Sequence, residues 1–266
     1  MLPIDSITRE TAKKISYVLM DIDDTITLDG KLPAEAYTAL WQLHDAGFHV
    51  IPITGRPAGW CDLIARQWPV TAVVGENGAL VFWEDGGKVE RLYHENAVPN
   101  DHETLQKIQN RILQEIPGSH MASDQFARMF DLAFDFHEEK PILSLDDALA
   151  MQQIAEQEGA VAKISSIHVN VWMGRYTKLS MAKTFLQQYF AYDDACQRDT
   201  VIFFGDSPND EPMFSHFPQS VGVANIAEYR HLMEHLPTYI THGEGGYGFA
   251  EGVRILVDLK NTGHKS

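Results

Sequence analysis

The stretch Tyr17-Val18-Leu19-Met20-Asp21-Ile22-Asp23-Asp24-Thr25 decides the fold. Four apolar, β-prone residues are followed directly by carboxylates, which is typical of a buried strand that ends in a polar loop. The same change recurs where Thr200-Val201-Ile202-Phe203-Phe204 runs into Gly205-Asp206-Ser207-Pro208-Asn209-Asp210. We therefore expect two buried strands whose ends carry acidic residues.

Helix-like segments alternate with the strand-like ones in both halves of the chain. Residues 33–46 have helical apolar spacing, begin with Pro33 and stop before Gly47. An apolar run at 48–53 follows and ends in Thr54-Gly55-Arg56, and a further apolar run at 71–74 comes after a second helix-like stretch. This β-α-β-α-β order predicts a doubly wound, Rossmann-like parallel sheet, in which ligands bind at the carboxyl ends of the strands.

The parallel pattern resumes near the end of the chain. Residues 178–190 have helical composition, and 221–224 and 238–241 would be the last core strands. We expect the glycines at 243–248 to form a turn-rich connection and a final helix to follow near 249–260.

The pattern of apolar and polar residues is different between residues 84 and 176. Segments 88–93 and 164–172 alternate apolar and polar residues, which indicates half-buried antiparallel strands, and helical stretches lie near 101–116 and 144–158. The sequence thus predicts two domains. One is an α/β core formed by residues 1–83 and 177–266, and the other is an α+β cap inserted at 84–176.

The chain is acidic and of ordinary size. Its 266 residues include 21 Lys or Arg and 37 Asp or Glu, a formal charge of −16 that disfavours a polyanionic partner such as nucleic acid. The cysteines, Cys61 and Cys196, lack metal-type spacing, and no apolar run reaches membrane-spanning length. We expect a cytoplasmic protein without a nucleic-acid or membrane partner, and its oligomeric state stays open.

Four carboxylates follow the two acidic-ended strands, namely those of Asp21, Asp23, Asp206 and Asp210. Carboxylates held close together repel one another, so such a cluster is normally neutralised by a cation or shares a proton. Because no His or Cys ligand set lies nearby in the sequence, all-oxygen coordination favours Mg²⁺ over zinc. The sequence therefore predicts a magnesium site.

Four segments together resemble, in order and spacing, the four motifs of the haloacid-dehalogenase-like phosphatases. They are Asp21-Ile22-Asp23-Asp24-Thr25, Thr54-Gly55-Arg56, Lys178 and Gly205-Asp206-Ser207-Pro208-Asn209-Asp210. The stretch Gly75-Glu76-Asn77-Gly78-Ala79-Leu80, followed by the insertion, resembles the branch with a type IIB cap, which includes many sugar-phosphate phosphatases. Asp24 is a variation, because many members of this branch have glycine there, although Asp is also tolerated in the superfamily.

The resemblance implies a role for each motif residue. Asp21 would be the nucleophile and Asp23 the general acid and base. Asp21 and Asp206 would hold Mg²⁺, with the Asp23 backbone carbonyl as a further ligand and Asp210 as a direct or water-mediated one. The groups that would bind the substrate phosphate are Thr54, Gly55, Lys178 and Asn209, with Ser207 as a positioning group.

Several assignments have rivals. Lys183 is an alternative to Lys178, which we favour because it opens its helix. Arg56 would either bind substrate or pair with a surface carboxylate, and Thr25 would close the turn after the acidic loop. Within the cap, three residues are candidates for specificity, namely Arg128, His168 and Arg175, and Asn170 shares a strand face with His168.

The implied reaction is Mg²⁺-dependent hydrolysis of a small phosphate monoester, with a sugar phosphate as the expected substrate, through an aspartyl-phosphate. A phosphomutase or phosphotransferase of the same fold would use the same residues and is an alternative. A binding or regulatory protein that has kept the fold without turnover is another.

Overall fold

The computed structural model describes residues 1–261. The strands, in chain order, are β1 (Leu2–Pro3), β2 (Tyr17–Met20), β3 (His49–Pro52), β4 (Val73–Gly75), β5 (Leu80–Asp85), β6 (Lys88–Tyr93), β7 (His120–Met121), β8 (Asp131–Asp135), β9 (Val161–Ile164), β10 (His168–Trp172), β11 (Val201–Gly205), β12 (Gln219–Gly222) and β13 (Tyr239–Ile240). The helices are α1 (Arg9–Lys14), α2 (Ala34–Asp45), α3 (Ala58–Gln67), α4 (Glu103–Glu115), α5 (Leu145–Gln157), α6 (Lys178–Phe190), α7 (Asp194–Gln197), α8 (Glu211–His216) and α9 (Gly245–Asn261).

A six-stranded sheet with the order β1-β13-β12-β11-β2-β3 forms the core, and each pair of neighbours in it is parallel. Strands β2 and β11 lie side by side with Met20 opposite Phe204, so the loops that follow them leave the same edge of the sheet. The predicted doubly wound parallel sheet is confirmed, and it brings the two acidic loops together.

Both faces of this sheet are buried beneath helices. Val18 and Met20 of β2 pack into one apolar cluster with side chains of α2, α3 and α9. Leu19, which points to the opposite face, packs into a second cluster with side chains of α6 and α8. Burial on both faces explains why the core strands have continuous apolar sequences rather than alternating ones.

A separate four-stranded antiparallel sheet with the order β7-β8-β10-β9 belongs to the cap. One face packs on α4 and α5 through residues such as Leu132, Phe134 and Val169. The opposite face carries buried polar side chains, those of Asp131, Asp135, His168 and Asn170. His168 and Asn170 thus share a face, as expected from the alternation.

Two strand assignments differ from the sequence predictions, and a third detail concerns the domain boundary. The run at 71–74 gives β4, which touches β3 through a single parallel bridge between Ile53 and Val74 and otherwise pairs antiparallel with β5. Segment 164–172 is interrupted at 165–167, so it forms two strands, β9 and β10. Strands β5 and β6 form one hairpin that spans the predicted domain boundary at residue 84. The division into 1–83, 84–176 and 177–266 stays a prediction.

The glycine-rich segment is also not the connection that we expected, because α9 begins at Gly245. A Cβ on Gly246 would lie 2.5 Å from the carbonyl oxygen of Ile26, and a Cβ on Gly245 would collide with that of Thr27. The glycines therefore let the start of α9 pack directly against the loop that follows β2. Within residues 1–261, no helix has the length and apolar character needed to cross a membrane.

Candidate active site

Three buried carboxylates meet at the carboxyl ends of β2 and β11. Asp21 directly follows β2, and its backbone N–H donates to the carbonyl of Phe204 at 3.0 Å, which ties the first loop to β11. Asp21, Asp206 and Asp210 each offer a carboxylate oxygen, and these oxygens lie within 4.8 Å of one another. The structure thus brings together three of the four predicted carboxylates.

Lys178 joins this cluster from the first position of α6. Its Nζ lies 2.9 Å from Asp21 Oδ1 and 3.1 Å from Asp210 Oδ1, and the side chain is buried. Reciprocal side-chain and backbone hydrogen bonds between Thr177 and Ser180 form a capping box that fixes the start of the helix. Lys183, the rival, pairs instead with Asp194 at 2.8 Å.

This cluster gathers three buried carboxylates around one lysine. Burial raises the pKa of Asp21 to about 7, although Lys178 partly opposes this rise. Burial, together with Asp210 and Asp21, raises the pKa of Asp206 well above its ordinary value. Oδ2 of Asp206 is buried and has no hydrogen-bond partner within residues 1–261. An all-oxygen set with an orphaned carboxylate oxygen fits a divalent metal ion.

Thr25 and Asp24 shape the loop around this cluster. The Thr25 backbone N–H donates to Ile22 at 3.3 Å and so closes the turn, as expected, while its hydroxyl donates to Asp206 Oδ1 at 2.8 Å. Asp24 has φ of +56°, a conformation that glycine adopts most easily and that Asp and Asn tolerate. The loop geometry therefore accommodates the Asp24 variation.

Asp23 lies apart from the three-carboxylate cluster and is bound by Arg56. Nε of Arg56 donates to both Asp23 oxygens at 2.9 and 3.0 Å, and Nη2 donates to Oδ1 at 2.7 Å. Arg56 is itself buried, with its guanidinium 4.4 Å from the ring centroid of Trp60. Arg56 thus pairs with carboxylates, as the second of its two expected roles anticipated, although these carboxylates are partly buried rather than on the surface. It also lines the cavity beside Asp23, and substrate binding by Arg56 stays a prediction.

Thr54, Gly55 and Asn209 lie at the same edge of the sheet. Thr54 is fully buried, and its hydroxyl accepts from the Arg56 backbone N–H at 3.0 Å. Gly55 and Asn209 line a small cavity together with Asp21 and Lys178. The Ser207 hydroxyl donates to Asn209 Oδ1 at 2.8 Å and fixes that amide. Gly55, Asn209 and Lys178 therefore line the same small cavity as Asp21, whereas Thr54 is not among its lining residues.

A carboxylate that the sequence analysis had not singled out connects the core to the cap. Glu76, just after β4, accepts backbone N–H groups from Ala58, Met129 and Phe130 at 2.7 to 2.9 Å. Burial, reinforced by Asp131, raises its pKa to about 7. Glu76 lies inside the motif-like stretch 75–80, so its place in that stretch was the available signal.

A second buried network lies beside it and includes Arg128. Nη1 of Arg128 donates to the Gly55 carbonyl at 2.8 Å and to Asp131 Oδ1 at 3.0 Å. Asn77 and Asn170 donate to the other Asp131 oxygen at 3.3 and 3.2 Å. An acidic residue in a strand with apolar neighbours was the available sequence signal for Asp131.

The three cap residues expected to determine specificity have different positions. Arg128 is occupied by this network rather than free to bind substrate, and Arg175 is exposed. His168 faces the core, and its Nε2 lies 2.8 Å from Glu138 Oε2. Glu138 also bonds to Arg56 and was missed, because the surrounding run His137–Lys140 has the composition of an exposed turn.

A family model assigns the chain to a class of hydrolases. The model of the haloacid dehalogenase-like hydrolase family matches residues 18–157 and 149–233, and the chain belongs to this family. It is 26% identical to a phosphoglycolate phosphatase of Pyrobaculum aerophilum over 258 residues, which cover 90% of this chain and 95% of that protein. The family resemblance expected from the sequence is confirmed.

Solved structures share the fold of this chain. Protein 0175 of Thermoplasma acidophilum superposes with a TM-score of 0.71 at 18% identity, covering 92% of this chain and 99% of that one. A sugar phosphatase of HAD subclass IIB superposes with a TM-score of 0.60 at 15% identity, covering 85% and 93%. The expected combination of a parallel-sheet core with a type IIB cap is thereby confirmed as the fold.

Proposed function

We propose that the protein is a Mg²⁺-dependent phosphatase that hydrolyses a small phosphate monoester through an aspartyl-phosphate. The observation that carries this proposal is the buried Asp21 carboxylate, which contacts Lys178 and lies within 4.8 Å of carboxylate oxygens of Asp206 and Asp210. Phosphoryl transfer to a carboxylate requires a nucleophile, a fixed positive charge and a set of ligands for a cation.

In the first step, a carboxylate oxygen of Asp21 attacks phosphorus and the bond from phosphorus to the alcohol oxygen breaks. Asp23 gives its proton to the leaving oxygen. In the second step, Asp23 takes a proton from water, the water oxygen attacks the aspartyl-phosphate, and Asp21 is released with free phosphate. Lys178 neutralises charge on the transferring group, while Thr54 and Gly55 hold its oxygens.

Asp21, Asp206 and Asp210, with the backbone carbonyl of Asp23, are the residues that would hold Mg²⁺. Carboxylate and carbonyl oxygens are the ligands that this ion prefers. When bound, the ion supplies positive charge against the phosphate oxygens and relieves the repulsion among the three buried carboxylates.

The cavity beside Asp23 favours an uncharged leaving group. Its volume is about 460 Å³, and its basic lining residues are Arg56 and His137. Its acidic lining residues are Asp23, Asp24, Asp29, Glu138, Asp206, Glu228 and Glu244. A leaving group that is itself a carboxylate would be repelled there, whereas sugar or polyol hydroxyls can donate to carboxylates. We therefore favour a sugar phosphate, the class named for the subclass IIB relative, over phosphoglycolate.

The test is phosphate release from a panel of sugar phosphates, polyol phosphates and phosphoglycolate, with Mg²⁺ or with excess EDTA. We expect release with Mg²⁺, a rate on neutral sugar phosphates above that on phosphoglycolate, and loss of release in EDTA. Full activity in EDTA would contradict the metal assignment, and isomerised sugar phosphate without free phosphate would show a mutase instead.

A further inference from the structure

The side chain that binds Asp23 is itself bound by the cap. Arg56 uses one edge of its guanidinium for Asp23 and another for Glu138, with Nη2 2.8 Å from Glu138 Oε1 and Nη1 3.3 Å from Oε2. Asp124, also from the cap region, lies 3.4 Å from Nη1. Because the five N–H groups of a guanidinium lie in one plane, fixing one edge fixes the direction of the other.

Local structure holds Glu138 in place for this contact. It lies just after β8, where its backbone N–H donates to Asp135 Oδ1 at 2.8 Å and that of Glu139 donates to Oδ2 at 2.9 Å. The side chain also lies against His168, as described above. Burial opposes ionisation of Glu138, but His168 and Arg56 outweigh it and lower the pKa of Glu138 to about 2. Glu138 is therefore a carboxylate whenever it faces Arg56.

Asp135, Glu138 and His168 also offer ligand atoms within 4.8 Å of one another, so a metal ion is a rival interpretation of this cluster. The guanidinium of Arg56 already occupies both Glu138 oxygens, and its positive charge would repel a cation placed there. The ion pair is the interpretation that the charges favour.

We propose that Glu138 is a positioning residue for catalysis, acting through Arg56 on Asp23. The cap thereby sets the position of the acid/base group as it closes on the core, and moving the cap away removes Glu138 from Arg56. This inference rests on the proposed function, because it assigns to Asp23 the protonation of the leaving group.

The test uses leaving groups that differ in their need for a proton. We compare kcat/KM for p-nitrophenyl phosphate, which leaves readily as an anion, with phenyl phosphate and the best sugar phosphate of the panel, which need protonation. In Glu138→Gln we expect a loss of about 10- to 100-fold on phenyl and sugar phosphates, and less than about 3-fold on p-nitrophenyl phosphate. Glu138→Asp, which keeps the charge, should recover part of the loss.

Glu139→Gln is the matched control, because this exposed neighbour bonds through its side chain to Ser123 and not to Arg56. It should keep wild-type rates on all three substrates. An equal loss on all three substrates in Glu138→Gln, or no loss on any, would overturn the positioning role. If the wild-type protein releases phosphate from none of them, the proposed function fails instead.

Discussion

Two groups of charged side chains in this protein have the same formal composition and different environments. The core cluster consists of Lys178 with Asp21, Asp206 and Asp210. The interface cluster consists of Arg56 with Asp23, Asp124 and Glu138. Each set has one basic side chain and three carboxylates, and the lysine contacts two of its carboxylates whereas the arginine contacts all three. The interface carboxylates also have basic neighbours outside their set, since Asp124 pairs with Arg128 and Glu138 lies against His168.

Burial separates the two clusters further. In the core cluster, the Asp21 and Asp210 side chains are 7% and 0% exposed, whereas the Glu138 side chain of the interface cluster is 31% exposed. The pKa of Asp21 is raised and that of Glu138 is lowered. The number of charges alone therefore does not identify a cation site. A cation site is identified by how few hydrogen-bond donors lie within reach of the carboxylates and by how little water reaches them.

The largest effect should come from removing the proposed nucleophile of the core cluster. We expect Asp21→Asn to lower phosphate release by at least about 1,000-fold, because an amide cannot form the covalent intermediate. The control is Glu139→Gln, because this exposed side chain bonds to Ser123 and lies outside both clusters. Steady-state phosphate release measures both variants. Comparable activity in Asp21→Asn and the wild type would contradict the assignment.

The core cluster could be predicted from the sequence because it follows from local patterns. Apolar runs that end in carboxylates locate the strand ends, and parallel pairing brings those ends to one edge of the sheet. Lys178 was predicted because it opens its helix at the position of the family's third motif, and the structure shows a capping box of Thr177 and Ser180 at that helix start.

The interface cluster was not predictable because it depends on how the cap packs on the core. Arg56 and Glu138 are 82 positions apart, and neither local sequence indicates the other. The turn that holds Glu138 depends on Asp135, whose place in the buried strand β8 makes it face inward. The distinction between β9 and β10 was missed although the sequence indicates it, since the alternation breaks where Ser165 and Ser166 follow one another at the turn.

Arg56→Lys gives the interface cluster the same kind of cation as the core cluster, and Arg56→Met removes the cation. We expect Arg56→Met to lower the free energy of unfolding by about 3 to 5 kcal/mol, because Asp23 loses its basic partner, whereas Asp124 keeps Arg128 and Glu138 keeps His168. Arg56→Lys should lower the free energy of unfolding by less, because it keeps the positive charge. Urea unfolding measures both variants. The control is Arg66→Met, an exposed arginine of α3 paired with Asp62, which should cost less than about 1 kcal/mol. Equal losses at Arg56 and Arg66 would contradict the comparison.

Metal binding should distinguish the clusters more directly. We expect Mg²⁺ at 100 times its dissociation constant to stabilise the wild-type protein by about 2.7 kcal/mol, since it binds the folded chain. Asp206→Asn should abolish this gain, while Glu138→Gln should keep it. Thermal unfolding with and without Mg²⁺ provides the measurement. Loss of the Mg²⁺ gain in Glu138→Gln, with retention in Asp206→Asn, would place the ion in the interface cluster.

The smallest effect concerns how the free energy of unfolding depends on pH in EDTA. Glu138 of the interface cluster and Asp21 of the core cluster should contribute to this dependence with opposite signs. The pKa of Glu138 is lowered from 4.5 to about 2, so its stabilising contribution is present above pH 4.5 and is lost as the pH falls towards 2. The pKa of Asp21 is raised from 3.8 to about 7, so its contribution is present below pH 3.8 and is lost as the pH rises to 7.

Neutral substitutions at the two positions should therefore change the pH dependence of unfolding in opposite directions. Relative to the wild type, Glu138→Gln should lose more stability at pH 6 than at pH 3, by about 1 kcal/mol or less because Glu138 is partly exposed. Asp21→Asn should instead gain relative stability as the pH rises from 4 to 7, because it removes a carboxylate that is unfavourable when ionised. Urea unfolding at a series of pH values measures both trends, with Glu139→Gln as the control. If the free energy of unfolding changed with pH in the same direction in both variants, the proposed electrostatic difference between the core cluster and the interface cluster would be contradicted.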